Sequence, residues 1–181
     1  MDTRNGESER LLARLALRGG GGRLRLLIGG LGVGFSLAEA LRSDRVEHVT
    51  VVEIEPKIVE WNQTCLAPCS GNALSDPRVR VVIEDIVAWL HHERESFDGI
   101  CLDVDNGPTW TVTRANSMLY RDGGLALPYE RLEPKGVLTI WSAVEAQGFA
   151  ERLRRVFESV EVFRVPAPRG EPDVIYAASR S

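Results

Sequence analysis

From residue 24 onward the chain alternates short, dense apolar runs with stretches in which apolar side chains recur every three or four positions. The first kind of run predicts strands buried on both faces, and the second predicts amphipathic helices. Leu24–Ile28 reads as a first strand. "GLGVG" then makes a turn, and "FSLAEALRS" is helical, with Leu37, Ala38 and Leu41 on one side. "VEHVTVVEIEP" is a second strand, and Pro56 opens a second helix where its missing N–H costs nothing. "VRVVIED" and "FDGICLDVD" are the third and fourth strands, separated by a helix that places Ile86, Trp89 and Leu90 on one face. Residues 106–122 show weak periodicity and read as a long loop with a turn or two of helix. "GLALPYERLEP" is expected to be helical and "GVLTIWS" to be a fifth strand. Ser142 and Glu145 have capping-box spacing ahead of Phe149, Leu153, Val156 and Phe157, which predict a further helix. "VEVFRVP" and "DVIYAAS" close the chain as an antiparallel hairpin joined by "APRGEP".

This order predicts an α/β, Rossmann-like domain with a mostly parallel seven-stranded sheet and a C-terminal antiparallel hairpin. In such sheets a ligand crevice opens at the carboxyl ends of the strands. The domain is expected to run from 23 to 181. Residues 1–22 are expected to form an N-terminal extension, with a short helix over Glu7–Arg18 and a glycine-rich linker.

Composition narrows the possibilities. Hydrophobic residues make up 44% and charged residues 27%, as in a water-soluble globular protein. The net charge of −4 argues against nucleic-acid backbone binding. No apolar run reaches the roughly 18 residues of a membrane span. The polar N-terminus does not read as a signal peptide. Three cysteines (Cys65, Cys69, Cys101) fit a reducing cytoplasm, and three histidines without matching spacing give no reason to expect a metal.

Four loops carry candidate chemistry. Gly30, Gly32 and Gly34 form G-x-G-x-G between strand and helix, either a ligand cradle or simply a tight turn. Phe35 stands where the dinucleotide fingerprint needs a third glycine, which disfavours NAD. Glu53 ends the second strand 23 residues after Gly30, near the offset at which a carboxylate accepts from ribose hydroxyls. Glu55 suits a helix cap instead. Asp85, after the third strand, is placed to accept from an adenine amino group or to cap the next helix. Asp103, Asp105 and Asn106 follow the fourth strand in "LDVDNGP". Trp110, Thr111, Thr113, Arg114 and Tyr120 occupy the loop over the crevice. Trp110 and Tyr120 either wall a substrate pocket or pack that loop down.

The glycine turn, the acids after strands two and three, and the closing hairpin resemble the class I S-adenosylmethionine-dependent methyltransferase superfamily. A closer resemblance covers residues 24–142. "LLIGGLGVG", "VTVVEIEPKIVE", "VRVVIEDIVAWL", "FDGICLDVD" and "YERLEPKGVLTIWS" are similar to the spermidine synthase (polyamine aminopropyltransferase) family. That family alkylates a diamine with decarboxylated S-adenosylmethionine. The resemblance implies that Glu53 holds the ribose, that Asp85 faces the adenine, and that Asp103 both touches the co-substrate and accepts the proton. Asp105, Asn106, Trp110 and Tyr120 are expected on the acceptor side. The sequence departs from the family where Asn106 replaces the second aspartate of its D-[ST]-[ST]-D-P-type motif and Trp141-Ser142 replaces a glutamine. Nothing before the first strand matches the family's N-terminal β-rich domain.

The expected function is therefore transfer of an aminopropyl or methyl group from decarboxylated S-adenosylmethionine or S-adenosylmethionine itself to a small acceptor, with a polyamine the foremost candidate. The expectation includes no metal, no nucleic acid and no membrane. A homodimer is an open possibility. The alternative is a non-catalytic nucleoside-binding or interaction domain that has lost its amine site.

Overall fold

Aliphatic and β-branched runs become the strands of one sheet because only a strand flanked on both sides buries every second side chain on each face. The computed structural model describes residues 3, 5–111, 114–167 and 170–181. Its strands are β1 (Leu24–Gly29), β2 (Val46–Glu53), β3 (Val79–Ile83), β4 (Phe97–Leu102), β5 (Leu132–Ser142), β6 (Ser159–Val165) and β7 (Asp173–Ser179). They lie in the order β3-β2-β1-β4-β5-β7-β6. Strands β1 to β5 run parallel, and β7 is antiparallel to both β5 and β6. This is the Rossmann-like methyltransferase architecture expected from the sequence. No helix among the described residues is long and apolar enough to cross a membrane.

Alternation divides the core in two. Leu27, Ile100 and Leu102 point to one face, with Trp89, Phe97 and Phe149. Leu26, Ile28 and Cys101 point to the other, with Leu12, Leu15 and Val49. Helices α1 (Glu7–Ala16), α2 (Phe35–Leu41), α3 (Pro56–Gln63), α4 (Ile86–His92), α5 (Arg114–Leu119), α6 (Ala126–Glu130) and α7 (Phe149–Leu153) cover these faces.

The N-terminal helix is part of the core layer and does not stand apart from it. Leu12, Ala13, Leu15 and Ala16 of α1 are buried in the second cluster. The Leu12 carbonyl accepts a 3.2 Å bond from Thr139 Oγ1 of β5. The glycine linker is tied down as well: the Arg45 guanidinium donates to the carbonyls of Leu17, Gly19, Gly20 and Gly22.

Two local expectations need correction. The helix expected over 124–134 ends at Glu130, and Leu132, Glu133 and Pro134 belong to β5. Pairing wins there because Leu132 lies opposite Phe97, whose N–H donates to the Arg131 carbonyl. Ser142 is no helix cap either. It sits in β5 and donates to the Val144 carbonyl at 2.6 Å, while Glu145 pairs with Arg164. The helix starts instead after Gly148, which takes up a left-handed conformation (φ 72°), and it ends at Leu153. Val156 and Phe157 follow in turns, with Phe157 still buried.

Candidate functional site

The upper ends of β1, β2, β3 and β4 frame a cavity of about 210 Å³ lined by Gly30, Gly32, Glu53, Ile54, Asp85 and Ile86. The turn after β1 depends on Gly30. Its φ is +85°, and a Cβ there would lie 2.1 Å from the Asp103 carbonyl oxygen. Gly34, also left-handed at φ +88°, precedes α2 and lies outside the cavity lining. Phe35, the residue that breaks the dinucleotide fingerprint, is covered by α1, with the Arg10 guanidinium 4.4 Å from its ring centroid.

Glu53 is 7% exposed and holds the glycine turn in place. Its Oε2 accepts from the Leu31 N–H at 2.8 Å and its Oε1 from the Glu55 N–H at 2.9 Å. Each oxygen has capacity for a further hydrogen bond, and the residue lines the cavity. Glu55 caps α3 by accepting from the Lys57 N–H. Asp85 serves as cap and cavity wall together: Oδ1 accepts from the Val87 and Ala88 N–H groups at 2.8 and 2.9 Å, and the residue lines the pocket. Ile54, 56% exposed, adds an apolar wall.

A second cavity, of about 450 Å³, opens beside the first and is lined by Glu9, Asp103, Asp105, Asn106, Trp141 and Asp173 among others. The two share a wall formed by Gly32, Asp103 and Val104. Asp103 thus stands at the junction. Burial pushes its carboxyl up to about 7 from an ordinary 3.8, and the neighbouring carboxylates of Glu9, Asp173 and Glu53 add to the effect. Asp105 is buried and accepts from Asn116 Nδ2 at 3.1 Å. The Asn106 carbonyl takes the Ala143 N–H, which docks the loop against the end of β5.

The structure brings Gly30, Gly32, Glu53, Asp85, Asp103, Asp105 and Asn106 to one continuous rim. Tyr120 and Trp110 line neither cavity among the described residues. Tyr120 is buried edge-on against Phe149, and burial together with the Asp105 carboxylate pushes its phenol up. Trp110 is 68% exposed. Thr113 lies outside the described residues, and Arg114 opens α5. Glu9, Asn116 and Asp173 were not singled out by sequence reasoning, and Trp141 only as part of the Trp141-Ser142 departure from the family. In sequence, Glu9 looks like an ordinary acid in a helix's first turn, and Asp173 like a solvated strand start. Among the described residues no group of three His, Cys, Asp or Glu side chains is arranged to hold a metal ion.

The model of the spermine/spermidine synthase domain matches residues 12–166. The chain belongs to the spermine/spermidine synthase family. The polyamine aminopropyltransferase of Mycobacterium tuberculosis (strain ATCC 25618 / H37Rv) is 32% identical over 123 residues, covering 66% of this chain and 23% of the relative. That of Thermococcus onnurineus is 32% identical over 151 residues, covering 78% of this chain and 50% of the relative. The chain therefore spans between about a quarter and a half of the length of these family members. Spermidine synthase from Thermotoga maritima superposes with a TM-score of 0.77 at 21% identity, over 96% of this chain and 59% of that one, a likeness of fold. The family match takes in α1 from Leu12 onward, in keeping with the burial of that helix.

Proposed function

We propose that this chain transfers an aminopropyl group from decarboxylated S-adenosylmethionine to an amine. The observation that carries this reading is the position of Asp103, a residue that lines both the first cavity and the acidic one. The ribose hydroxyls would donate to Glu53, and the adenine would lie between Ile54 and the Asp85 edge. The sulfonium side chain would reach the junction. An amine drawn into the acidic cavity gives up a proton to Asp103, and its lone pair attacks the carbon bonded to sulfur. The C–S bond breaks, its electron pair stays on sulfur, and methylthioadenosine leaves neutral.

Electrostatics favour the decarboxylated donor. Among the described residues lining either cavity there is no Lys, Arg or His, whereas Glu9, Asp103, Asp105 and Asp173 all face the second one. A methionine carboxylate would enter that field with no cation to meet it. Calorimetry with S-adenosylmethionine, its decarboxylated form, methylthioadenosine and NAD tests this directly. The decarboxylated donor should bind at least about tenfold more tightly than S-adenosylmethionine, a difference of about 1.4 kcal/mol. Putrescine should then yield spermidine in a product assay. Binding of NAD alone, or of S-adenosylmethionine in preference, would overturn the reading.

Glu53→Gln separates the ribose contact from the fold. The amide keeps the shape but cannot accept at both ends while receiving the Leu31 and Glu55 N–H groups. Methylthioadenosine affinity should fall by about 1.5–3 kcal/mol, the range for a hydrogen bond to a charged group. Unchanged affinity in a variant with a native circular-dichroism spectrum would remove Glu53 from the site.

A further inference from the structure

The glycine turn has a second clamp besides Glu53, and it comes from α3. Asn62, in the last turn of that helix, is 1% exposed. Its Nδ2 donates to the Gly32 carbonyl at 2.8 Å and to the Ile58 carbonyl, one turn back, at 3.0 Å. Two carbonyl acceptors at one end of the amide settle which end is the nitrogen. The Oδ1 end is buried with no hydrogen-bond partner among the described residues. It rests against Gly34, where a Cβ would come within 2.8 Å of it. Ile58 lines the first cavity, and Asn62 is the next residue along the same face of α3.

A buried amide oxygen without a donor costs stability. Stability alone therefore gives no reason for an asparagine here, since the leucine skeleton branches in the same way and leaves no orphan. What asparagine supplies and leucine does not is the donor to Gly32. That donor acts on the least restrained peptide of the turn. Leu31 is held through its N–H by Glu53, and Gly30 is wedged against the Asp103 backbone. Gly32 is partly exposed at φ +52°, and beyond its chain neighbours no atom lies within 4 Å of where its Cβ would be. A glycine so placed reorients its peptide plane at little cost, and water takes the carbonyl once it is released. In a trans peptide the C=O and the following N–H point in opposite directions. The bond to Asn62 thus turns the Gly32 carbonyl toward α3 and the Val33 N–H away from it. Gly32 belongs to the wall that the two cavities share, so the orientation of this one peptide shapes both.

Resting on the transfer reading above, we propose that Asn62 is a positioning residue: it holds the Gly32 peptide in the orientation that receives the nucleoside donor. It acts through Gly32 and touches no substrate. Asp103 is tied to the turn further upstream, through the Gly29 carbonyl and the close approach of Gly30. Loss of the Asn62 bond should therefore weaken donor binding and spare the chemical step.

The test uses Asn62→Leu and Asn62→Ala in the full chain. Neither side chain donates, and the two err in opposite directions on packing, so a loss common to both belongs to the donor. Methylthioadenosine should bind both variants at least about tenfold more weakly by calorimetry, as expected when only about a tenth of the molecules keep the competent turn. The KM for the decarboxylated donor should rise by a similar factor, with kcat within about threefold of wild type. In nitrogen-edited NMR spectra the Gly32 and Val33 amide resonances should move or split, whereas that of Asp103, bonded to Gly29, should hold. Unchanged methylthioadenosine affinity in either folded variant, a loss that falls on kcat, or Gly32 and Val33 resonances that stay in place would overturn the proposal. Should one variant fail to fold, the other decides. Failure of the wild type to bind methylthioadenosine is a separate result that overturns the transfer reading itself. The amide resonances still decide in that case whether Asn62 sets the turn.

Discussion

Replacing Asp103 by Asn is expected to lower turnover by about 10²–10⁴-fold, the range for loss of a positioned general base. Methylthioadenosine affinity should stay within about threefold, because the proposed nucleoside contacts fall mainly to Glu53, Asp85 and the glycine turn. The amide is close in shape to the carboxylate but cannot take the proton that the attacking amine must shed. In the wild type, kcat/KM should rise with pH through about 7, the point at which the buried carboxyl ionises. A bound dication stabilises the ionised form, so the corresponding limb of kcat should lie at lower pH. Any residual activity of the Asn variant should lack this limb. Unchanged turnover, or an unchanged limb in the variant, would remove Asp103 from the base role.

The same substitution should act on stability in the opposite direction. An unfolded aspartate ionises near its ordinary value of 3.8, whereas Asp103 in the folded chain holds its proton up to about 7. Between those limits the folded state binds a proton that the unfolded state has released, so stability falls as pH rises across the window. Above 7 both states are ionised and the full desolvation cost remains. Asp103→Asn should therefore melt with wild type near pH 4 and exceed it by about 1–2 kcal/mol at pH 8, the shift being discounted because the side chain is only half-buried. Under the proposed function, the site thus carries a half-buried carboxylate that weakens the fold until a cation arrives.

The rim of the first cavity was legible in the sequence, and the walls of the second were only partly so. Gly30, Glu53, Asp85 and Asp103 each end or follow a strand of the parallel part of the sheet, and alternation of apolar runs locates those strand ends without knowledge of packing. Asp85 shows how two readings of one residue coexist: a single carboxylate caps α4 and faces the cavity. Glu9 and Asp173 escape because neither follows a parallel strand; α1 must pack across β4, β5 and β7, and the hairpin must fold back, before they meet Asp103. The short helix at Glu7 was visible, but its burial was not, since Leu11, Leu12 and Leu15 could equally cover a partner. For Tyr120 the sequence left two readings open, and its burial matches the packing one. An aromatic residue in a long loop over a crevice suggests a ligand contact, yet its ring fills the core beside Phe149. Ser142 and Glu145 satisfied a capping pattern that the left-handed Gly148 supplants three residues later.

Gly30→Ala should have the largest effect on the fold and the site together. The glycine sits at φ +85°, where an L-residue costs roughly 1–2 kcal/mol, and the added methyl would meet the Asp103 carbonyl at 2.1 Å. That contact is with backbone, so no side chain can rotate away. β1 and β4 must separate at their carboxyl ends, where Gly29 accepts from the Asp103 N–H at 2.9 Å. Strain and overpacking together should destabilise the chain by roughly 2–5 kcal/mol in urea titration. The same displacement moves Asp103 off the junction and opens the turn that Glu53 clamps through Leu31. Variant protein that still folds at low temperature should therefore lose both methylthioadenosine binding and turnover. Gly32→Ala is the control: it also has positive φ, but its Cβ would point into open space. It should cost the fold only the conformational strain, about 1–2 kcal/mol, while crowding the nucleoside. Equal stability losses in the two variants would show that close approach to Asp103 is not what reserves position 30 for glycine.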